Sequence, residues 1–175
     1  LDSSLRLVFD VDNDPGLNQT TGLIDIFLRD HNGERVSLDD VGNGIPFCLP
    51  WLVAITTDHR PYTIWMHQPE LHLHPALQSQ VGDALIHGLK SNNGMVVETH
   101  SEHLILRLLR RIKQGDKEGN PFPLKHEQLE VYYFDPVGGE GTTVHRLPVT
   151  PTGDFYIDWP KGFFRERDED LFYGE

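Results

Sequence analysis

The chain predicts an α/β fold, a parallel sheet with flanking helices, and three observations lead there. Two short apolar runs, "YTIWM" and "MVVET", have the β-rich composition of buried strands. Each is followed by a segment whose apolar residues recur at helical spacing. Boundary signals sit where the helices need them: Pro75 opens the first, Ser101 caps the second, and Gly115 closes it. Strands alternating with helices imply a parallel sheet covered on both faces, with ligands bound just beyond the carboxyl ends of the strands. The stretches "HQPE" and "ETHSEH" fall at those ends.

Taken in order, the chain opens with a weakly alternating run, "LRLVFDV", then the loop "DNDPGLNQTTG" and a second run, "LIDIFLRD", that ends in the turn "HNGE". That pattern predicts a β-hairpin or meander. From Ser37 a Gly-containing loop leads into an apolar helix expected over about 47–57, with Pro50 in its first turn, where a missing N–H does no harm. After the strand "YTIWM", the helix from Pro75 places Leu77, Val81, Leu85 and Leu89 on one stripe. After "MVVET", the next helix carries Leu104, Leu108 and Ile112 on one side. A linker precedes the strand "LEVYYFD", the Gly-rich turn "PVGGEG" and "TTVHRLPV". In the tail, Asp158, Trp159, Gly162, Phe163 and Phe164 suggest a tight turn with aromatic anchors that pack a terminal segment. The organisation expected is a strand-rich part over 1–36, a central lobe over 37–120, and C-terminal strands with an extension over 121–175.

At 175 residues the chain is long enough for one domain with a real core. No apolar run approaches the roughly 20 residues of a membrane span, so no membrane partner is expected. The start lacks the basic and apolar regions of a signal peptide and is not Met, so the chain is expected to begin within a longer protein. Cys48 is the only cysteine, which excludes an intrachain disulfide and a Cys-based zinc site and favours a cytoplasmic location. A formal charge of -12 argues against a surface that binds nucleic acid everywhere. Arg107, Arg110, Arg111 and Lys113 form a local basic run that reads either as a nucleic-acid contact or, by default, as a solvated helix face.

In a P-loop ATPase, a strand ends in an acid that holds Mg²⁺, a neighbouring acid or amide orients the attacking water, and a His on the next strand reaches the γ-phosphate. The order strand, "HQPE", "LHLHP", helix, strand, "ETHS", helix has that layout. Together "QPELHLHP" and "VVETHSEHLILRLLRRI" resemble the AAA-family, ABC-type ATPases of the RecF-like and OLD-like branch. "DVGNGIPFCLP" resembles the branch's signature loop, and "GDFYIDWPKGFF" a C-terminal extension found in some members, so the resemblance spans roughly 37–164.

The resemblance implies the C-terminal half of an ABC-type head, a P-loop NTPase fragment without its Walker A lobe. Its cofactors would be ATP and Mg²⁺, bound by the parent chain. His67 stands at the Walker B acid and Mg²⁺ position, Gln68 at the hydrolysis position, "LHLHP" at the D-loop, and His100 at the switch histidine. Gly42 and Gly44 match the signature loop, whose N–H groups meet the nucleotide of the other protomer in a head-to-head homodimer. Glu70 and Glu98 are nearby carboxylates, and Glu70 joins Gln68 and His100 as a catalytic candidate. Relatives act in DNA repair or anti-phage defence, which implies DNA or a defence effector protein as a partner.

The departures are specific. His67 lacks the charge that Mg²⁺ prefers, and Pro46 and Phe47 replace the usual Ser-Gln pair. An amide at Gln68 can position water but cannot accept its proton. No G-x-x-x-x-G-K-[ST] occurs in the 175 residues, so a fragment is favoured over a chain that never binds ATP alone. Other readings stand beside this one. His67, Glu70, His72, His74, His100 and His103 are ligand types for a metal hydrolase, although neither H-x-H-x-D-H nor H-E-x-x-H is present. His72 and His74 also read as a polar turn before a helix, Glu98 to His100 as a strand end and helix cap, and Arg107 as the partner of Glu102 or Glu98. Finally, a degenerate, non-hydrolysing head would serve as a dimerisation or partner-docking module.

Overall fold

The computed structural model describes residues 6–11, 24–57, 63–89, 94–137 and 141–158. Strands β1 (Arg6–Val11), β2 (Ile24–Arg29) and β3 (Arg35–Ser37) form an antiparallel meander, as the opening alternation implies. The turn between β2 and β3 is held by Asp30, whose carboxylate accepts the N–H groups of Asn32 at 2.9 Å and Glu34 at 2.8 Å. Gly33 supplies the positive φ of 85° that the turn requires.

Helix α1 spans Gly44–Thr57, three residues longer at its start than the sequence suggests. Pro46 and Phe47 lie inside its first turn, and Pro50 lies in the interior instead of the first turn. The reason is local: Ile45 N–H bonds to the Gly42 carbonyl and Phe47 N–H to that of Asn43, which starts the helix ahead of Pro46. Pro46 therefore takes the first-turn position that the sequence predicts for Pro50, and the missing N–H of Pro50 leaves one helical bond unmade.

The centre is β4 (Thr63–His67), α2 (Pro75–Leu89), β5 (Gly94–Glu98) and α3 (Glu102–Gln114), in the expected β-α-β-α order. β4 and β5 pair in parallel, with Thr63 opposite Gly94 and His67 opposite Glu98. Met66, Val81, Leu85 and Leu104 make one buried cluster, joined by Trp51, Ile64, Leu73, Met95 and Val97. A second cluster joins α2 and α3 to the C-terminal segment through Ile86, Ile105, Leu109, Ile112, Leu124 and Val149. Burial of each such aliphatic side chain contributes about 1.5–3 kcal/mol.

The sheet is covered on one face and not two among the described residues. Residues of α1, α2 and α3 all meet the Met66 side, while Trp65 on the opposite face is 78% exposed and its register partner Val96 is exposed as well. Strands β6 (Tyr132–Val137) and β7 (Gly141–Arg146) form an antiparallel ribbon where two strands around a Gly-rich turn were expected. Trp159, Gly162, Phe163 and Phe164 lie outside the described residues.

Candidate functional site

Parallel pairing brings the ends of β4 and β5 side by side, and every central motif of the sequence leaves from that edge. Period-2 alternation turns Met66 inward and leaves His67 and Glu98 outside, on the same face as Trp65 and Val96. His67 Nε2 stands 3.0 Å from Glu98 Oε1, with 69% and 58% of the two side chains exposed. The next residue, Gln68, donates its backbone N–H to the Glu98 carbonyl at 2.7 Å and adopts a φ of 48°. His72 is also left-handed, at 62°. Such values are uncommon away from glycine, and here they fold 68–72 back beneath the strand ends.

Glu70 is the buried member of this turn, only 6% exposed. Its Oε1 accepts the Thr99 hydroxyl at 2.5 Å and the His100 backbone N–H at 3.2 Å. Thr99 Oγ1 in turn accepts the Ser101 N–H at 3.0 Å. The Ser101 hydroxyl donates to Gln78 Oε1 at 2.6 Å while accepting the Leu104 N–H as the N-cap of α3. Gln78 Nε2 donates to the Leu73 carbonyl at 3.0 Å, and Leu73 N–H donates to the Glu70 carbonyl at 3.1 Å. A closed ring of hydrogen bonds thus joins the turn after β4, the start of α2 and the turn after β5. Glu70 Oε2 is buried with no hydrogen-bond partner among the described residues.

The start of α1 reaches the same turn. A Cβ on Gly44 would lie 2.7 Å from Leu73 Cδ2 and 3.0 Å from the His72 carbonyl oxygen, so glycine is needed for close approach. Phe47 and His72 stack at a tilt, with ring centroids 4.8 Å apart. The Cys48 thiol lies 3.7 Å from the Pro69 carbonyl, and burial pushes its pKa up against the opposing effect of the Trp51 indole. Gly42 stands in open space.

His67, Gln68, Glu70 and His100 are therefore brought together, Gly44 reaches the His72–Leu73 segment, and Gly42 touches neither. The imidazole of His100 is exposed. Among the described residues no three His, Cys, Asp or Glu side chains converge to hold a metal ion. A magnesium ion held with a nucleotide needs only one or two protein carboxylates, the remaining oxygens coming from phosphate and water. Glu98 is an exposed carboxylate beside His67, and Glu70 is a buried one whose Oε2 has no partner among the described residues.

The basic run is half committed. Arg111 makes paired bonds of 2.7 and 2.8 Å to Asp83, and Arg107 bonds to Asp83 at 3.3 Å and to Ser79 at 3.0 Å. The partner of Arg107 is thus Asp83, because α2 packs on α3, and not Glu98 or Glu102. Arg110 and Lys113 remain exposed. Nothing in the sequence marks Thr99 as the donor to a buried carboxylate, and nothing in helical periodicity marks Gln78. No family model matches the chain, and no curated protein matches it.

Proposed function

We propose that the chain is the C-terminal half of an ABC-type ATP-binding and hydrolysing head, which couples nucleotide to conformational change in a homodimer. The observation that carries this reading is the β4/β5 edge, where two parallel strands end in register, Gln68 following β4 and His100 lying two residues beyond β5. Glu98 supplies the carboxylate that the position of His67 lacks, one strand over and 3.0 Å away. When bound, Mg²⁺ offsets phosphate charge during transfer. In this reading Glu98 would hold the cation, the Gln68 amide would orient water, and the His100 imidazole would donate a hydrogen bond to the γ-phosphate. Backbone N–H groups around Gly42 and Gly44 would face the nucleotide of the other protomer. A role in DNA repair or phage defence, with DNA or an effector protein as partner, is an inference by fold analogy.

The test is ATP hydrolysis by the full natural protein. His100→Ala is expected to lower kcat by about a hundredfold, the scale of a positioned transition-state donor. Glu98→Gln is expected to raise the Mg²⁺ concentration needed for half-maximal turnover. Unchanged kinetics in both variants would sink the assignment.

A second reading is favoured by one observation: the His67 imidazole already occupies the Glu98 carboxylate. In that reading the head is degenerate and works by dimerisation or docking. Sedimentation with and without ATP separates the two, since a degenerate head associates equally well in both conditions. His67→Asp then tests whether the missing acid limits turnover, because magnesium-dependent hydrolysis rises only if it does.

A further inference from the structure

We infer that Glu70 is a positioning residue for His100, acting through Thr99 and the His100 backbone. A buried carboxylate needs donors, and Glu70 finds two on the far side of the β4/β5 edge: the Thr99 hydroxyl and the His100 N–H. These two bonds link the turn after β4 to Thr99 and to the His100 backbone, beside the Gln68 N–H bond to the Glu98 carbonyl. The ring through Ser101, Gln78 and Leu73 closes the link at its other end. Movement of the 68–73 turn is therefore transmitted to His100, and the reverse holds equally. Glu70 itself is buried, with Oε1 bonded and Oε2 without a partner among the described residues.

The consequence reaches beyond a single side chain. The first turn of α1 rests on the same 68–73 segment through Gly44, Phe47 and Cys48. Glu70 thus lies between α1 and His100, in the place where a displacement of one would register at the other. The geometry of the clamp is independent of what the β4/β5 edge binds, whereas its effect on turnover rests on the ATPase reading.

Two measurements keep these apart, both on the full natural protein. Hydrogen exchange over 99–104 reads the clamp directly. Glu70→Ala is expected to speed exchange there, and Glu70→Gln to restore part of the protection, because an amide oxygen still accepts but without the charge. Thr99→Val is expected to act like Glu70→Ala, and Thr99→Ser like wild type. Unchanged exchange in Glu70→Ala and Thr99→Val overturns the clamp, whatever the protein binds. The second measurement is a kinetic cycle. Glu70→Ala is expected to lower kcat about tenfold with KM held within about twofold, and to add little in a His100→Ala background, because coupled residues are not additive. Full additivity of the two substitutions overturns the inference that Glu70 works through His100. Faster exchange in a protein without ATPase activity would leave the clamp standing and remove the ATPase reading alone.

Discussion

Gly44 and Gly42 differ in kind, although the sequence presents them as a pair. A methyl group at Gly44 meets Leu73 and the His72 carbonyl, whereas at Gly42 it meets nothing within 4 Å. Gly44→Ala is therefore expected to cost about 1–3 kcal/mol by overpacking. Gly42→Ala should stay within about 0.5 kcal/mol, as surface substitutions do. Denaturant unfolding of the two variants checks this, and equal losses would contradict it. Gly153, which carries no signal in the sequence, is more constrained than either: its φ is 74°, and a Cβ there would overlap the Leu109 carbonyl oxygen. Legibility at this scale follows geometry. The place of His67 and Glu98 at strand ends was readable from the apolar runs that precede them, but their shared exposed face was not, because "YTIWM" and "MVVET" read as buried strands. The burial of Glu70 was not readable, because it depends on the left-handed turns at Gln68 and His72, and neither residue type announces that conformation.

Among elements, α2 and α3 were the clearest in the sequence, since Pro75, Ser101 and Gly115 mark their ends and regular apolar spacing marks their faces. What spacing could not supply was the pairing across them. Asp83 gathers Arg111 and Arg107, and Arg111 is itself 8% exposed. Asp83→Ala leaves that buried guanidinium without its carboxylate and is expected to cost about 3–5 kcal/mol. Calorimetric or denaturant unfolding of the variant reads the loss, and a change below about 1 kcal/mol would show that Arg111 finds water or another acid. Beside the antiparallel ladder of β6 and β7 lies an exposed pair, Glu130 with Arg146 at 2.7 Å. The Arg146 hydrogen bonds, with some help from its charge, lower the carboxyl pKa of Glu130 against slight desolvation. A depressed pKa means stabilisation that is present above the ordinary value of 4.5 and lost as pH falls through the lower folded value. The difference in melting temperature between wild type and Glu130→Gln should accordingly be small at neutral pH and vanish in acid. A difference that persists unchanged to pH about 2 would exclude the ion pair as its source.

At the scale of the molecule, the α/β character and the parallel pair were legible because strand and helix periods alternate between Thr63 and Gln114. The sheet covered on both faces was not realised among the described residues, since α1, α2 and α3 share one side of two strands. No helix among the described residues is long and apolar enough to cross a membrane. Of the four basic residues on α3, two turn to Asp83, so nucleic-acid contact at that face would rest on Arg110 and Lys113. Phosphate contacts by so few cations give a shallow salt dependence, which a DNA titration at two ionic strengths would expose.

The ATPase reading requires that a nucleotide bind at the carboxyl ends of β4 and β5. Equilibrium binding of ATP to the full natural protein, with and without Mg²⁺ and beside Glu98→Gln, measures this most directly. The predicted result is ATP binding that Mg²⁺ strengthens and that Glu98→Gln makes less responsive to the ion. Absence of ATP binding, or binding indifferent to both the ion and Glu98, would contradict it.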